Sequence, residues 1–190
     1  MKIRIYNYLV RFWTFVFMLL PNIFCFFFYK FLECLPFIFI SPIRVALLKS
    51  LGAKIGTSVI VSHGVEIRSP DCLILGDRVS IQRGCYIDAA GGVNIGNDVS
   101  IAHGCSILSF EHDWSNKNIP IRENDAIYAP VSIGNDVWIG CQCILLSGSQ
   151  LDGNCIVAAG SVVTKSLIGS RASLIAGVPG RVVKKIRTGY

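Results

Sequence analysis

A chain of 190 residues, 52% hydrophobic and with eleven Phe, suits one compact domain with an appendage and is apolar for a soluble domain of that size. Its net charge of +6 is confined to one end, because residues 1–54 hold seven Lys/Arg against Glu33 while residues 55–190 hold eleven of each sign. A basic excess beside nearly all the Phe points to an anionic membrane surface. The balanced remainder argues against nucleic acid, which would need basic residues interleaved over the folded part.

Residues 1–50 read as an apolar, basic, membrane-associating helical segment. Its densest part, "RFWTFVFMLLPNIFCFFFYK", leaves eighteen residues between Arg11 and Lys30, at the lower limit for crossing a hydrocarbon core of ~30 Å. Pro21-Asn22 makes a bent, half-inserted hairpin equally compatible with this run, so spanning and interfacial placement both stay open. A third reading is a set of docking helices that cover the end of the neighbouring domain. No A-x-A-like site follows the apolar run, which disfavours a cleaved leader. The expected location is the cytoplasm, at the inner face of the membrane.

From Ile55 branched apolar residues recur six positions apart in triplets that start twenty residues apart: Ile55, Val61, Ile67; Leu75, Ile81, Ile87; Ile95, Ile101, Ile107. The rhythm resumes at Ile133, Ile139, Leu145, Leu151, Val157 and Val163. Three six-residue steps closing one turn describe a mainly β chain, a parallel β-helix of triangular section over residues 51–180. Amphipathic strands joined by hairpins would give a period of two and variable spacing. Four residues after the marks stand small side chains, among them Cys85, Cys105, Cys143 and Cys155, which read as corner residues of a narrow core and suit a reducing compartment. Gly76, Gly96 and Gly134 directly follow a mark and are read as tight-turn glycines.

With these repeats, "SIGNDVWIGCQCILLSG", "VAAGSVVTKS" and "IAGVPGRVVKKI" make the chain resemble the hexapeptide-repeat acyltransferases over about residues 50–187. The resemblance is nearest to the branch acetylating maltose, galactosides and surface polysaccharides. It implies a left-handed parallel β-helix, a homotrimer, and acetyl-CoA in a groove between subunits; the basic tail at 181–190 reads separately as a short C-terminal helix with a solvated face. The chain departs from the family pattern at "QLDGN", at "SLIGSRAS" and in its Phe-rich N-terminal segment.

The rhythm breaks once, at "ILSFEHDWSNKNIP". The interval from Ile107 to Ile133 is twenty-six residues, which extrudes a loop at about 108–130. Loops on a rigid scaffold commonly carry chemistry. Acetyl transfer to a hydroxyl needs a base titrating near working pH, and His112 supplies an imidazole there. The resemblance implies the same residue: the family's catalytic histidine lies nineteen residues after the apolar residue that precedes the Ile-Gly turn, and here that residue is Val93. Asp88 stands one turn below the root of the loop and resembles the family's acidic acceptor ligand, with a simple turn aspartate as the alternative. Which group orients His112 is left open; Glu111 and Asp113 are adjacent in sequence only. By motif match, Trp138, Cys141, Ala159, Thr164, Lys165, Arg181 and Lys184 fall where the family binds acetyl-CoA. Lys165, Arg181 and Lys184 would offset phosphate charge.

The γ-class carbonic anhydrases share this architecture and bind zinc through three histidines. Here His63 and His103 occupy one column with Arg83 between them, which disfavours a cation, so no metal is expected. The primary expectation is therefore an O-acetyltransferase acting on a sugar hydroxyl of a surface polysaccharide or its precursor. Two alternatives remain: an N-acyltransferase for an amino-sugar nucleotide, and a non-catalytic trimeric β-helix scaffold.

Overall fold

The six-residue period folds into three parallel sheets wrapped about one core. The computed structural model describes residues 3–167 and 169–186; residues 1, 2, 168 and 187–190, which include the ends of the predicted N-terminal segment and basic tail, lie outside that description. The first face stacks Lys54–Ile55, Leu73–Leu75, Val93–Ile95, Val131–Ile133 and Gln150–Leu151. The second stacks Ile60–Val61, Ser80–Ile81, Ser100–Ile101, Trp138–Ile139, Ile156–Val157 and Ser173–Ala176, and the third runs from Glu66–Arg68 to Val162–Val163. Marks pair with marks: Leu75 with Ile95, Ile95 with Ile133, and Ile133 with Leu151.

All fifteen marks are buried, and so are the corner residues four places later, Val59 through Ser161, with Cys85, Cys105, Cys143 and Cys155 among them. Every cysteine of the chain is a free thiol. Burial pushes the Cys155 thiol up to about 12, so it stays protonated as a small apolar core group. The glycines after the marks serve a purpose other than the expected one. The left-handed backbone falls two residues later, on Arg78, Asp98 and Asp136, with φ of 56°, 60° and 55°. Gly76 is required by stacking, since a Cβ there would come within 2.7 Å of the Gly96 carbonyl.

The first-turn end of the spiral exposes backbone groups with no turn below them. Three helices cover it: α1 (Ile3–Met18), α2 (Asn22–Glu33) and α3 (Ser41–Ser50). The apolar run divides at Pro21, where a ring on the backbone nitrogen ends one helix and starts the next. α3 is buried along Val45–Leu48 and plugs the core. The cap also satisfies the edge. Tyr29 Oη donates to Val65 O at 2.8 Å, Gly64 N donates to Glu33 O at 2.7 Å, and Val61 N donates to Ser41 Oγ at 3.0 Å. Tyr6 Oη donates to Val59 O. Arg44 is fully buried and donates to the carbonyls of Leu32, Leu35 and Val61, so one of the cations counted in the basic N-terminal excess is structural. Among the described residues, no helix is long and apolar enough to cross a membrane.

The opposite end differs from expectation. In place of a short C-terminal helix, Arg181–Lys185 form a strand that returns antiparallel to Ser173–Ala176. Val182 and Val183 are β-branched and favour extended backbone, and the last parallel strand offers unpaired edge groups that a returning strand satisfies. Gly177, at φ 104°, supplies the turn.

Candidate active site

At the edge between the third and first faces the chain leaves the spiral as a β-hairpin, Phe110–His112 pairing antiparallel with Ala126–Tyr128. The hairpin root is pinned. Ser109, fully buried, donates through Oγ to Asp88 O at 2.7 Å and accepts from Gly91 N at 2.8 Å. Ala129 N donates to Ser109 O at 3.0 Å, and Val131 N to Gly92 O at 3.0 Å, which returns the chain to the first face. Gly91 is needed here, because a Cβ would lie 2.1 Å from Ser109 O.

Alternation along the strand separates the side chains. Phe110 and His112 share one face, with ring centroids 6.3 Å apart in an edge-on arrangement. Glu111 projects from the other face and approaches Lys165 at 3.7 Å. Lys165 belongs to the fifth turn and the hairpin leaves the third, so the hairpin runs along the edge toward the later turns. His112 is exposed at the end of its strand. Neither acidic neighbour engages it: Glu111 meets Lys165, and the Asp113 carboxylate accepts from Ser115 N and Ser115 Oγ, both at 2.8 Å. The bond from Ser115 N holds the Asp113 carboxyl below its ordinary value. Among the described residues, no hydrogen bond to the His112 ring fixes its tautomer.

Asp88 lies at the foot of this hairpin, stacked in register between Arg68 and Leu108 and only 5% exposed. Its carboxylate accepts from Ala90 N at 3.1 Å and from Tyr86 Oη at 3.3 Å, with Arg68 Nε at 3.9 Å. Asp88 thus braces its own turn through Ala90, the role of a turn aspartate, and its carboxylate also meets a half-buried phenol and an exposed guanidinium. Tyr86, Arg68, Ser109 and Gly91 were not singled out in the sequence. Tyr86 and Arg68 were legible as outward-facing neighbours of the marks; Ser109 and Gly91 matter only through the contact that the extrusion creates.

The residues matched to acetyl-CoA binding fall into two groups. Thr164 and Lys165 stand on the same edge as the hairpin, with Thr164 Oγ1 hydrogen-bonded to Ser166 Oγ at 2.7 Å. Trp138, 54% exposed, lies on the outer side of the second face, stacked between Ser100 and Ile156. Cys141 and Ala159 occupy successive corners between the second and third faces, where Gly160 N donates to Cys141 O at 2.9 Å. Lys184 and Arg181, both exposed, sit on the returning strand opposite Leu174 and Ala176. One chain therefore holds His112, Asp88 and Lys165 together at one edge and Trp138, Cys141, Ala159 and Lys184 around another.

His63, Arg83 and His103 occupy the same corner column that continues into Cys141 and Ala159, as shown by Gly104 N donating to Arg83 O at 3.1 Å and Gln142 N to His103 O at 3.0 Å. Among the described residues, no group of three or more His, Cys, Asp or Glu side chains is placed to hold a metal ion.

Residues 130–165 match the family model described as bacterial transferase hexapeptide (six repeats). The match falls on the later turns of the parallel β-helix, where the six-residue repeats are regular. The galactoside O-acetyltransferase of Escherichia coli (strain K12) is 39% identical over 67 residues, 35% of this chain and 32% of that protein. The putative colanic acid biosynthesis acetyltransferase WcaF of the same strain is 28% identical over 124 residues, 65% of each chain. The chain thus spans less than two thirds of either relative's length. Among solved structures, a hexapeptide-repeat acetyltransferase of Vibrio cholerae O1 biovar eltor, complexed with acetyl-coenzyme A, superposes with a TM-score of 0.68 at 22% identity, covering 76% of this chain and 77% of that one. At that identity the likeness speaks for the fold.

Proposed function

We propose that this chain transfers acetyl from acetyl-CoA to a sugar hydroxyl of a surface polysaccharide or its precursor, with His112 as the general base. The observation that carries the reading is the hairpin extruded from the spiral, whose root is pinned over Asp88, whose Glu111 meets Lys165, and whose first strand ends on an exposed imidazole. The names of the galactoside and colanic acid relatives support a carbohydrate acceptor, and the acetyl-coenzyme A complex of the Vibrio protein supports the donor.

In this reading His112 takes the acceptor hydroxyl proton as that oxygen attacks the thioester carbonyl carbon. The carbon–sulfur bond breaks, and the departing thiolate collects the proton from the imidazolium. A base so placed contributes roughly 10²–10⁴ in rate. Asp88 accepts a hydrogen bond from the sugar. Trp138, Cys141 and Ala159 provide a surface with little bulk for the pantetheine arm, and Thr164, Lys165, Arg181 and Lys184 meet the polar and phosphate parts of the coenzyme.

The working form is a homotrimer. The separation of the two residue groups around one chain favours a site completed by a neighbouring copy. The hairpin also exposes Trp114, Ile121 and Tyr128, apolar side chains suited to an intersubunit seam. Residues 1–50 associate with the inner face of the membrane.

The test is labelled acetyl-CoA with matched hydroxyl and amine sugars, comparing the native chain with His112→Ala. Transfer to the hydroxyl sugar should fall by about 10²–10⁴. Unchanged turnover would end the catalytic role of His112, and transfer to the amine sugar alone would replace this reading with N-acylation.

A further inference from the structure

The helical cap uses only one side of α1 and α2. Tyr6, Val10 and Phe17 of α1 and Cys25 and Tyr29 of α2 are buried toward α3 and the first turn. The opposite sides carry exposed apolar stripes at helical spacing: Ile5, Tyr8, Phe12 and Phe15 on α1, followed by Leu19 just past its end, and Phe24, Phe27 and Phe31 on α2. Phe37, Ile38 and Phe39, in the link between α2 and α3, are exposed as well. So many large exposed apolar side chains concentrated on one cap mark a binding face.

Charge identifies the occupant. Arg4 and Arg11 are exposed on α1, and Lys54 is exposed just beyond the cap. Glu33, the only acid of the first 54 residues, is bonded to Lys30 at 3.1 Å. A second copy placed against this face would bring cations together with no free acid to pair them. An anionic lipid surface meets both the apolar stripes and the cations.

We propose that the free sides of α1 and α2 lie in the surface of an anionic bilayer, so that the spiral stands on its capped end and His112 reaches a lipid-anchored oligosaccharide whose reacting sugar is several residues from its anchor. The height follows from the repeat. The hairpin leaves the third turn, two steps of ~4.8 Å above the first, and climbs toward later turns. The helical layer adds ~10 Å. The reacting hydroxyl is thus held ~20–30 Å above the lipid-facing surface. A sugar bonded directly to its lipid would not reach the imidazole. The choice of acceptor rests on the acetyl-transfer reading; the docking and the height do not.

Three measurements on the full chain test it. First, flotation with phosphatidylcholine vesicles, with and without phosphatidylglycerol, should show association that requires the anionic lipid. It should drop about tenfold or more in Arg4→Glu/Arg11→Glu and be lost in Phe27→Ser/Phe31→Ser. Flotation unaffected by both double variants would overturn the proposal. So would an oligomer that the Ser variant dissociates while no vesicle binding occurs, since the occupant would then be a second copy. Second, in single-tryptophan variants bound to vesicles containing brominated lipid, a tryptophan placed on the free side of α1 by Phe15→Trp should be quenched and Trp114 on the hairpin should not. Equal quenching would overturn the upright orientation. Third, acceptors of graded length on one lipid anchor should show turnover rising once several sugars separate anchor and reacting hydroxyl. Faster reaction of the shortest acceptor would overturn the height. Flotation and quenching need no catalysis, so inactivity toward every acceptor would strike the acetyltransferase reading and leave the docking standing.

Discussion

Residues 93–108 and residues 109–130 adjoin in sequence and are held by different forces. In the first stretch every mark is buried, and backbone amides find partners one turn away, as Ser100 N does with Val137 O at 2.9 Å. In the second, Trp114, Ile121, Ile127 and Tyr128 are exposed, and the two strands pair chiefly with each other. The hairpin is tied to the spiral through Ser109, Ala129 and the exposed Glu111–Lys165 pair. Stability resides in the repeats and reactivity in the excursion, and the few contacts at the root decide where the imidazole stands.

The comparison can be broken by moving the same kind of substitution between the two regions. Ile139→Ala, at a fully buried mark, should cost about 2–5 kcal/mol in denaturant unfolding. Ile127→Ala, 43% exposed on the hairpin, should stay within about 0.5 kcal/mol. Similar losses at both sites would mean that the hairpin shares the core's cooperativity. Gly91→Ala probes the junction. Its new Cβ would meet Ser109 O at 2.1 Å and push the hairpin root outward, so acetyl transfer should fall by about 10²-fold with far less loss of melting temperature than Ile139→Ala.

Smaller effects sharpen the picture. Lys165→Ala should raise KM for acetyl-CoA, whereas Glu111→Gln should leave it unchanged, and each should alter stability by less than about 1 kcal/mol because the pair is exposed. Equal KM changes would assign the effect to hairpin placement and remove Lys165 from the coenzyme. The slightest effect concerns pH. The Asp113 carboxyl is held low by Ser115, so its contribution to the turn is present above the ordinary carboxylate range of about 4 and fades as pH falls through the lowered value. Protection of the Ser115 amide, taken relative to its intrinsic exchange rate at each pH, should fall only in that acid range, and loss of protection near neutral pH would contradict the bond.

Much of this was legible from spacing. The marks at Ile55 through Val163 gave the three faces, and the one long interval located the hairpin, because a repeat that stacks on itself makes each position's environment periodic. The glycines after the marks were visible but misassigned: periodicity reports that a small residue recurs, and does not distinguish a backbone angle from a close approach of the next turn. Arg181–Lys185 read as helical because its basic residues suggested a solvated face; the open edge of Ser173–Ala176 decides its conformation, and an edge is a property of the folded end. Gly91 and Ser109 escaped notice for the same reason.

Complementation between copies tests most directly the claim that a hairpin imidazole works on a thioester held against another face. His112→Ala and Lys184→Glu alter the two residue groups that one chain keeps apart, and each should be nearly inactive as a homogeneous preparation. Co-expressed and purified as mixed assemblies, they should regain a measurable fraction of acetyl transfer, because some seams then combine an intact hairpin with an intact coenzyme surface. Mixed assemblies that form and stay as inactive as either variant alone would contradict it.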